Sequence, residues 1–198
     1  MSFALTEVNL PIRIQWESPM SDEEFMSFCA ANEPLRFERD ANGEILVMTP
    51  TGGNTGRINL RIGRLFDQWT ESDGRGVAFD SSTGFQLPNG AVRSPDLAWV
   101  TNERWNALSA EQRDGFAMCP DFVLELSSPS DRLPNVKKKI TEEWIANGVK
   151  LAWLIDPKAR TVSVYRPDHE PEVLHDPSSI QGTGPIAGFE LVMSRIWE

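Results

Sequence analysis

Two short apolar runs stand out in the pattern of hydrophobic and polar positions along the chain. Phe122–Leu126 is apolar except for one carboxylate, and residues 151–155 are apolar throughout. Between them, residues 134–147 have the spacing of an amphipathic helix, with Pro134 suited to its first turn and Gly148 to its end. A strand, a helix and a second strand of this kind predict a right-handed parallel β-α-β unit.

The same pattern predicts further elements on both sides of this unit. Upstream we expect a strand at 12–16, a helix opening at Ser21, a hairpin of 35–39 and 44–48, a loop at 50–56 and a helix through Ile58 and Trp69. We then expect short strands at 77–80, 85–87, 91–92 and 97–100, and one at Thr161–Tyr165 after the unit. Residues 167–188, rich in Pro, Gly and Ser, predict mostly loop.

Composition places the chain among ordinary globular proteins. It has 198 residues, of which 40% are hydrophobic and 24% charged. No apolar run approaches the roughly 20 residues that span a bilayer, and no signal peptide is evident, so we expect a cytoplasmic protein without a membrane partner. The two cysteines, Cys29 and Cys119, form no C-x-x-C pair, which favours free thiols over a disulfide framework.

The formal net charge of −10 restricts how the chain could meet nucleic acid. Proteins that coat nucleic acid depend on many Lys and Arg contacts, so this charge argues against that class. It leaves open an enzyme that acts through a metal and one local basic patch, which could include Arg57, Arg61, Arg64 and Arg132. Seven tryptophans are compatible with a homodimer, because large aromatic side chains dominate cores and interfaces.

Two carboxylates occupy positions where charge is unusual. Asp96 opens an apolar strand, and Glu125 lies inside Phe122–Leu126. A buried carboxylate needs a partner, and a divalent cation is one, since Mg²⁺ is often held by one or two carboxylates with waters and phosphate oxygens. From the spacing alone, a structural ion pair or an exposed edge-strand position is the better explanation, because Asp and Glu at such a separation are common.

A lysine downstream could reach the same place. The polar loop 127–132 leads into the helix that carries Lys137, Lys138 and Lys139, and this helix starts where the Glu125 strand ends. Lys139 lies five residues past Pro134, about 7.5 Å along a helix axis, so its long stem could return an amine to the carboxylates. Lys138 points away from the apolar stripe of the helix, where a solvated basic position is the simpler interpretation.

Several motifs, taken in order, resemble one known family. They are Met48-Thr-Pro-Thr-Gly-Gly53, Phe79-Asp-Ser-Ser-Thr-Gly-Phe85, Arg93-Ser-Pro-Asp96-Leu-Ala-Trp-Val100, Phe122-Val-Leu-Glu125-Leu-Ser-Ser-Pro-Ser-Asp131, Trp144 with Asn147-Gly148, and Leu151-Ala-Trp-Leu-Ile-Asp156-Pro157. Over about residues 20–197 the chain is similar to the Uma-two family of candidate endonucleases, also known as domain of unknown function 820. The resemblance implies the fold of the P-D…(D/E)-x-K nucleases, with Asp96 and Glu125 as metal carboxylates.

The chain departs from the nuclease pattern at one position. The lysine expected two residues after Glu125 is Ser127, a trait of the family, whose lysine is thought to come from the following helix. Counting forward from the loop gives Lys139, whereas counting back four residues from Trp144 gives Ile140, so the helix carries one extra residue. Glu44, in the family's recurring Gly-Glu, either approaches the metal or flanks a turn.

We therefore expect one domain, 1–198, with a restriction-endonuclease-like core at about 44–166, an α/β mixed sheet flanked by helices, and an N-terminal α+β hairpin extension. The expected function is a Mg²⁺- or Mn²⁺-dependent endonuclease acting on DNA as a homodimer. Asp96, Glu125 and the carbonyl of Leu126 would be metal ligands, and Lys139 would orient the attacking water or offset phosphate charge. The alternative is a non-cleaving nucleic-acid-binding or regulatory module, which the negative charge favours. His169 and His175, without a third ligand at metal spacing, are expected at the surface.

Overall fold

A computed structural model describes residues 12–197 of the chain. Its strands are β1 Ile12–Ile14, β2 Arg36–Arg39, β3 Ile45–Met48, β4 Gly76–Asp80, β5 Phe85–Gln86, β6 Val92–Arg93, β7 Leu97–Thr101, β8 Ala117–Met118, β9 Phe122–Leu126, β10 Leu151–Asp156, β11 Thr161–Tyr165, β12 Glu172–His175, β13 Ser179–Gln181 and β14 Glu190–Val192. Its α-helices are α1 Asp22–Ala31, α2 Gly53–Asp73, α3 Asn102–Asn106, α4 Ala110–Asp114 and α5 Leu133–Lys138. Short 3₁₀ turns lie at Gly184–Ile186 and Met193–Arg195.

The main sheet has the strand order β12-β11-β10-β9-β7-β4. Strands β9 and β10 are parallel, with Phe122 paired to Leu151 and Leu126 to Ile155, and β7 is antiparallel to β9. The segment between β9 and β10 is helical. The predicted β-α-β unit is therefore confirmed, and the three predicted apolar strands share one sheet.

The crossover helix changes its winding along its length. It begins as α5, continues as a π-helix at Lys139–Trp144, and ends as a 3₁₀ turn at Ile145–Asn147. Gly148 ends it in the left-handed conformation at φ 108°, which a residue without Cβ adopts without strain. The sequence predicts an uninterrupted helix over 134–147, and the π-turn is the feature that it does not reveal.

Alternation along the strands divides the core into two layers. Phe122, Leu124 and Leu126 face one side of the sheet, where Ile62 and Phe66 of α2 cover them. Val123 faces the other side, together with side chains of the crossover helix that include Ile140 and Trp144. The strand period of two therefore directs Glu125 toward the crossover helix.

The N-terminal hairpin is joined to the rest of the fold through a second sheet, in the order β1-β3-β2-β6-β5-β8. Arg39 of β2 pairs with Val92 of β6, which precedes β7 and the main sheet. The predicted hairpin turn is present, with Gly43 at φ 82° and its N–H donating to the Asp40 carbonyl. The predicted capping box of Ser21 and Glu24 is also present.

One sequence expectation is wrong, and a second is incomplete. Helix α2 begins at Gly53, inside the segment predicted as loop, because its first turn needs no apolar residue to form. The segment 167–188, predicted as mostly loop, contains β12 and β13; β12 pairs with β11 at the edge of the main sheet. Edge strands of this kind form through backbone pairing, which amino-acid composition predicts poorly. Within the described residues, no helix has both the length and the apolar character needed to cross a membrane.

Candidate active site

Asp96 and Glu125 lie side by side at one end of two neighbouring strands. In the β7–β9 pairing Leu97 is opposite Leu124, so continuing the antiparallel register by one residue brings Asp96 opposite Glu125. The backbone N–H of Leu126 donates a 2.7 Å hydrogen bond to Oδ2 of Asp96. The sheet register therefore brings together two carboxylates that are 29 positions apart in the sequence.

Glu125 is buried, and its polar side-chain contacts with other residues in 12–197 are made through one of its two carboxylate oxygens. It is 7% exposed, and its Oε1 accepts a 2.7 Å hydrogen bond from Trp144 Nε1 and contacts Lys139 Nζ at 3.0 Å. Within residues 12–197, no group donates a hydrogen bond to its Oε2. One oxygen is thus held in place by the helix, and the other is available to a ligand.

Asp96 is oriented by neutral donors. The Nδ2 of Asn59, on helix α2, donates to its Oδ1 at 3.2 Å, while Leu126 N–H holds Oδ2. These amides fix the carboxylate without neutralising it, and each oxygen keeps a lone pair for a further partner. Asp96 is therefore fixed in orientation, and its oxygens keep the capacity to bind a cation.

The structure places Lys139, and not Lys138, at the carboxylates. Besides Glu125, Lys139 Nζ contacts Oε1 of Glu38 at 3.2 Å and donates to the Ser94 carbonyl at 2.9 Å. Lys138 instead pairs with Glu142 at 3.5 Å on the surface, where both side chains are more than half exposed. The predicted direction of Lys139 is confirmed, whereas its role in catalysis stays a prediction.

Lys139 belongs to a larger network of charged side chains. Arg93, which is 6% exposed, donates to Glu38 at 3.0 Å through Nη1 and to the Glu143 carboxylate through Nε and Nη2. The backbone N–H of Ser94 also donates to Glu38, at 3.0 Å. The ion pairs from Glu143 to Lys139 thus connect the crossover helix to the N-terminal hairpin.

Burial and charge shift the pKa values of the site in opposite directions. Burial, assisted by the neighbouring Asp96, raises the pKa of Glu125 to about 7 against the opposing effect of Lys139. Burial likewise raises the pKa of Asp96, although the Leu126 N–H opposes this. For Glu38 burial also acts upward, but Lys139 and Arg93 outweigh it and hold its pKa below the ordinary value. Burial alone would lower the pKa of Lys139, but Glu125 and Glu38 outweigh burial and raise that pKa.

The charges of the site suit a divalent cation. Four carboxylates and two cations, when ionised, give the site a formal charge of −2; they are Glu38, Asp96, Glu125, Glu143, Arg93 and Lys139. The described residues contain no group of three or more His, Cys, Asp or Glu side chains arranged to hold a metal. Two carboxylates are nevertheless enough for Mg²⁺, which keeps several waters and takes other oxygens. The donor set therefore fits Mg²⁺ or Mn²⁺.

The remaining candidates lie elsewhere or have other partners. Glu44 forms an ion pair with Arg13, and its N–H donates to the Asp40 carboxylate, so it flanks the hairpin turn. His169 and His175 are exposed, as expected. Among the four arginines, Arg61 donates to the Arg195 carbonyl, Arg57 also has an interaction, and Arg64 and Arg132 are exposed. Only Arg132 lies in the loop that follows Glu125.

Sequence reasoning missed Glu38 as a neighbour of the site. Glu38 is one of two charged residues among the three last positions of β2, and it is 3% exposed. Arg93 belongs to the Arg-Ser-Pro-Asp motif, but no partner was assigned to it. The available signal for both Glu38 and Arg93 was a charged residue at a strand position that faces the core. Such a signal is ambiguous, because the fully buried Asp121 is held by Arg104 and Lys150 at the other end of β9.

Comparisons with known proteins identify the family and the fold. The sequence model of the Uma-two family, described as "Putative restriction endonuclease", matches residues 22–194. A search among curated proteins found no match. A crystal structure from Anabaena variabilis, titled as a "putative nuclease belonging to DUF820", superimposes with a TM-score of 0.73 at 23% identity, covering 90% of this chain and 98% of that one. It shares the fold. Since the family model spans most of the sequence, the chain belongs to the Uma-two family of restriction-endonuclease-like proteins.

Proposed function

We propose that this protein is a Mg²⁺- or Mn²⁺-dependent endonuclease that hydrolyses phosphodiester bonds in DNA. The observation that carries the proposal is the contact of Lys139 Nζ with Glu125, 3.0 Å apart, beside the neighbouring Asp96. Two carboxylates can hold a cation and a lysine can offset phosphate charge, and both effects assist phosphodiester hydrolysis. Membership of a family described as restriction endonucleases supports the same reaction class.

Asp96 and Glu125 would hold the metal, with the carbonyl of Leu126 as a further ligand. A bound divalent cation supplies activation of water and stabilisation of charge on the phosphate. Lys139 would orient the water or offset charge on a phosphate oxygen. In the reaction the water oxygen bonds to phosphorus, one P–O ester bond breaks, and the departing oxygen takes up the proton that the water gives up.

The acidic surface sets the expected level of activity. With a net charge of −10 the chain gives little electrostatic steering toward a polyanion, so turnover is expected to be slow. Contacts to phosphates through exposed residues such as Arg132 would make binding fall steeply with salt. Restriction-like nucleases cut two strands as dimers, and a homodimer of this chain belongs to the proposal.

The test is cleavage of supercoiled plasmid and of single-stranded DNA at low salt, with Mg²⁺ and with Mn²⁺. Wild type is compared with Glu125→Ala, and Glu44→Gln serves as a control for the loss of one carboxylate because Glu44 pairs with Arg13 beside the hairpin turn. We expect nicking by wild type and by the control, and none by Glu125→Ala. Identical behaviour of all three proteins on every substrate would reject the enzyme. The non-cleaving module, which the negative charge favours, would then be the better account.

A further inference from the structure

The N-terminal hairpin contributes a carboxylate to the site from a different sheet. Glu38 lies on β2, which belongs to the sheet of the hairpin, whereas Glu125 lies on β9 of the main sheet. Glu38 is 3% exposed, and its Oε1 lies 3.2 Å from Lys139 Nζ. Lys139 is therefore shared between two carboxylates that different parts of the fold supply.

The partners of Glu38 differ in kind from those of Asp96 and Glu125. Its Oε1 accepts from Lys139 and from the Ser94 N–H, and its Oε2 accepts from Arg93. Both oxygens thus face cationic donors. Among residues 12–197, by contrast, Asp96 has only neutral donors and Oε2 of Glu125 has no donor. A carboxylate saturated in this way is suited to holding a lysine and poorly suited to binding a metal.

We propose that Glu38 is the positioning residue for Lys139: it anchors the ammonium group beside Asp96 and Glu125, and Arg93 in turn anchors Glu38. This inference rests on the proposed function for its catalytic consequence. Glu125 is shared between Lys139 and any ligand of the site, so Lys139 needs a second carboxylate that ligand binding leaves unchanged. Glu38 supplies that carboxylate, and the Ser94 carbonyl supplies a third contact at 2.9 Å.

The first experiment measures the position of Lys139 without requiring activity. The folded full chain is treated with a trace of an amine-acylating reagent, and mass spectrometry gives the labelling of Lys139 relative to the exposed Lys138. Wild type, Glu38→Gln and Glu143→Gln are compared. Glu143→Gln is the matched control because Glu143 also pairs with Arg93, and the hydrogen bonds of Lys139 go to Glu38 and Ser94. We expect relative labelling to rise about tenfold in Glu38→Gln only.

Activity and metal binding provide the second readout. With Mn²⁺, Glu38→Gln should lower kcat at least about tenfold while KM and the Mn²⁺ affinity from calorimetry stay near wild type. If wild type cleaves no substrate, the proposed function has failed, and the labelling result alone decides the position of Lys139. Should Glu38→Gln not fold, Glu38→Asp keeps the charge next to Arg93 but is too short to reach both cations, and it should raise labelling as well.

Three results would overturn the proposal. Unchanged labelling of Lys139 in Glu38→Gln and Glu38→Asp would show that Glu38 does not anchor it. An equal rise in Glu143→Gln would indicate general loosening of the network. Loss of Mn²⁺ binding in a folded Glu38→Gln protein would make Glu38 a metal ligand instead.

Discussion

Lys139 and Trp144 are five residues apart in one helix, yet both contact Oε1 of Glu125, at 3.0 and 2.7 Å. In an α-helix residues five apart differ by about 140° in direction, so one of them would point away. The π-turn at Lys139–Trp144 has i to i+5 hydrogen bonds, which bring its first and last residues to the same face. The extra residue found by counting along the sequence is therefore accommodated in this turn.

Deleting Thr141 should convert the π-turn into an α-turn without removing Lys139 from the site. Thr141 is exposed, and after its deletion Lys139 and Trp144 would be four residues apart, which also places them on one face. We expect a folded protein with low acylation of Lys139. Deleting the exposed Asn135 is the control, since it turns Lys139 by about 100° relative to the preceding loop and should increase its acylation. Higher acylation of Lys139 after deletion of Thr141 than after deletion of Asn135 would contradict this role of the π-turn.

Asp96→Asn should weaken Mn²⁺ binding at least about tenfold, because an amide replaces a charged oxygen ligand. The fold should persist, since Asn keeps an oxygen that can accept from the Leu126 N–H. Titration calorimetry with circular dichroism measures both effects, and Glu44→Gln controls for the loss of one negative charge. Equal affinities in Asp96→Asn and wild type would remove Asp96 from the metal site.

The stability of the metal-free protein should fall as pH rises from about 4.5 to about 7 through the effect of Glu125. Its pKa is raised from 4.5 to about 7 in the folded state, so within this window the folded state holds a proton that the unfolded state has released. Urea unfolding with a chelator should show this slope in wild type and a smaller slope in Glu125→Gln, where the raised pKa of Asp96 still contributes. The lowered pKa of Glu38 acts below this window. Parallel curves for the two proteins would show that Glu125 is ionised when folded.

Lys139→Ala should lower Mn²⁺-dependent cleavage about 10²- to 10³-fold, the usual effect of removing one group that stabilises developing charge. Lys138→Ala should cleave at the wild-type rate, because Lys138 pairs with Glu142 at the surface. Initial rates of plasmid nicking measure both. A loss of cleavage in Lys138→Ala with none in Lys139→Ala would show that Lys138, and not Lys139, acts in the reaction.

Arg132→Gln should reduce the salt dependence of DNA binding. If Arg132 contacts one phosphate, the slope of log K against log salt should decrease by about 0.9 for duplex DNA. Fluorescence anisotropy at several salt concentrations, with Ca²⁺ to prevent cleavage, gives the slope. Arg166→Gln is the control, since Arg166 is paired with Glu172 at the far edge of the main sheet. Equal slopes for all three proteins would exclude Arg132 from the contact surface.

The sequence by itself determined the elements whose signals are local. The apolar runs around Glu125 and 151–155 and the helix between them predict parallel strands, since buried strands and an amphipathic helix have different periods. Glycine at Gly43 and Gly148 predicts where the chain turns, because only a residue without Cβ reaches such angles freely. The unusual positions of Asp96 and Glu125 are visible in the sequence for the same reason.

Only the tertiary structure decided which charges meet. Glu38 and Lys139 are 101 positions apart and come together because β2 pairs with β6 beside the main sheet, and no local pattern records that pairing. The choice of Lys139 over its neighbours depended on the winding of one helical turn, which differs from an α-helix by a single residue. Long-range pairing and helix winding arise from packing of the whole chain, so the sequence supplied the candidate residues and the fold selected their partners.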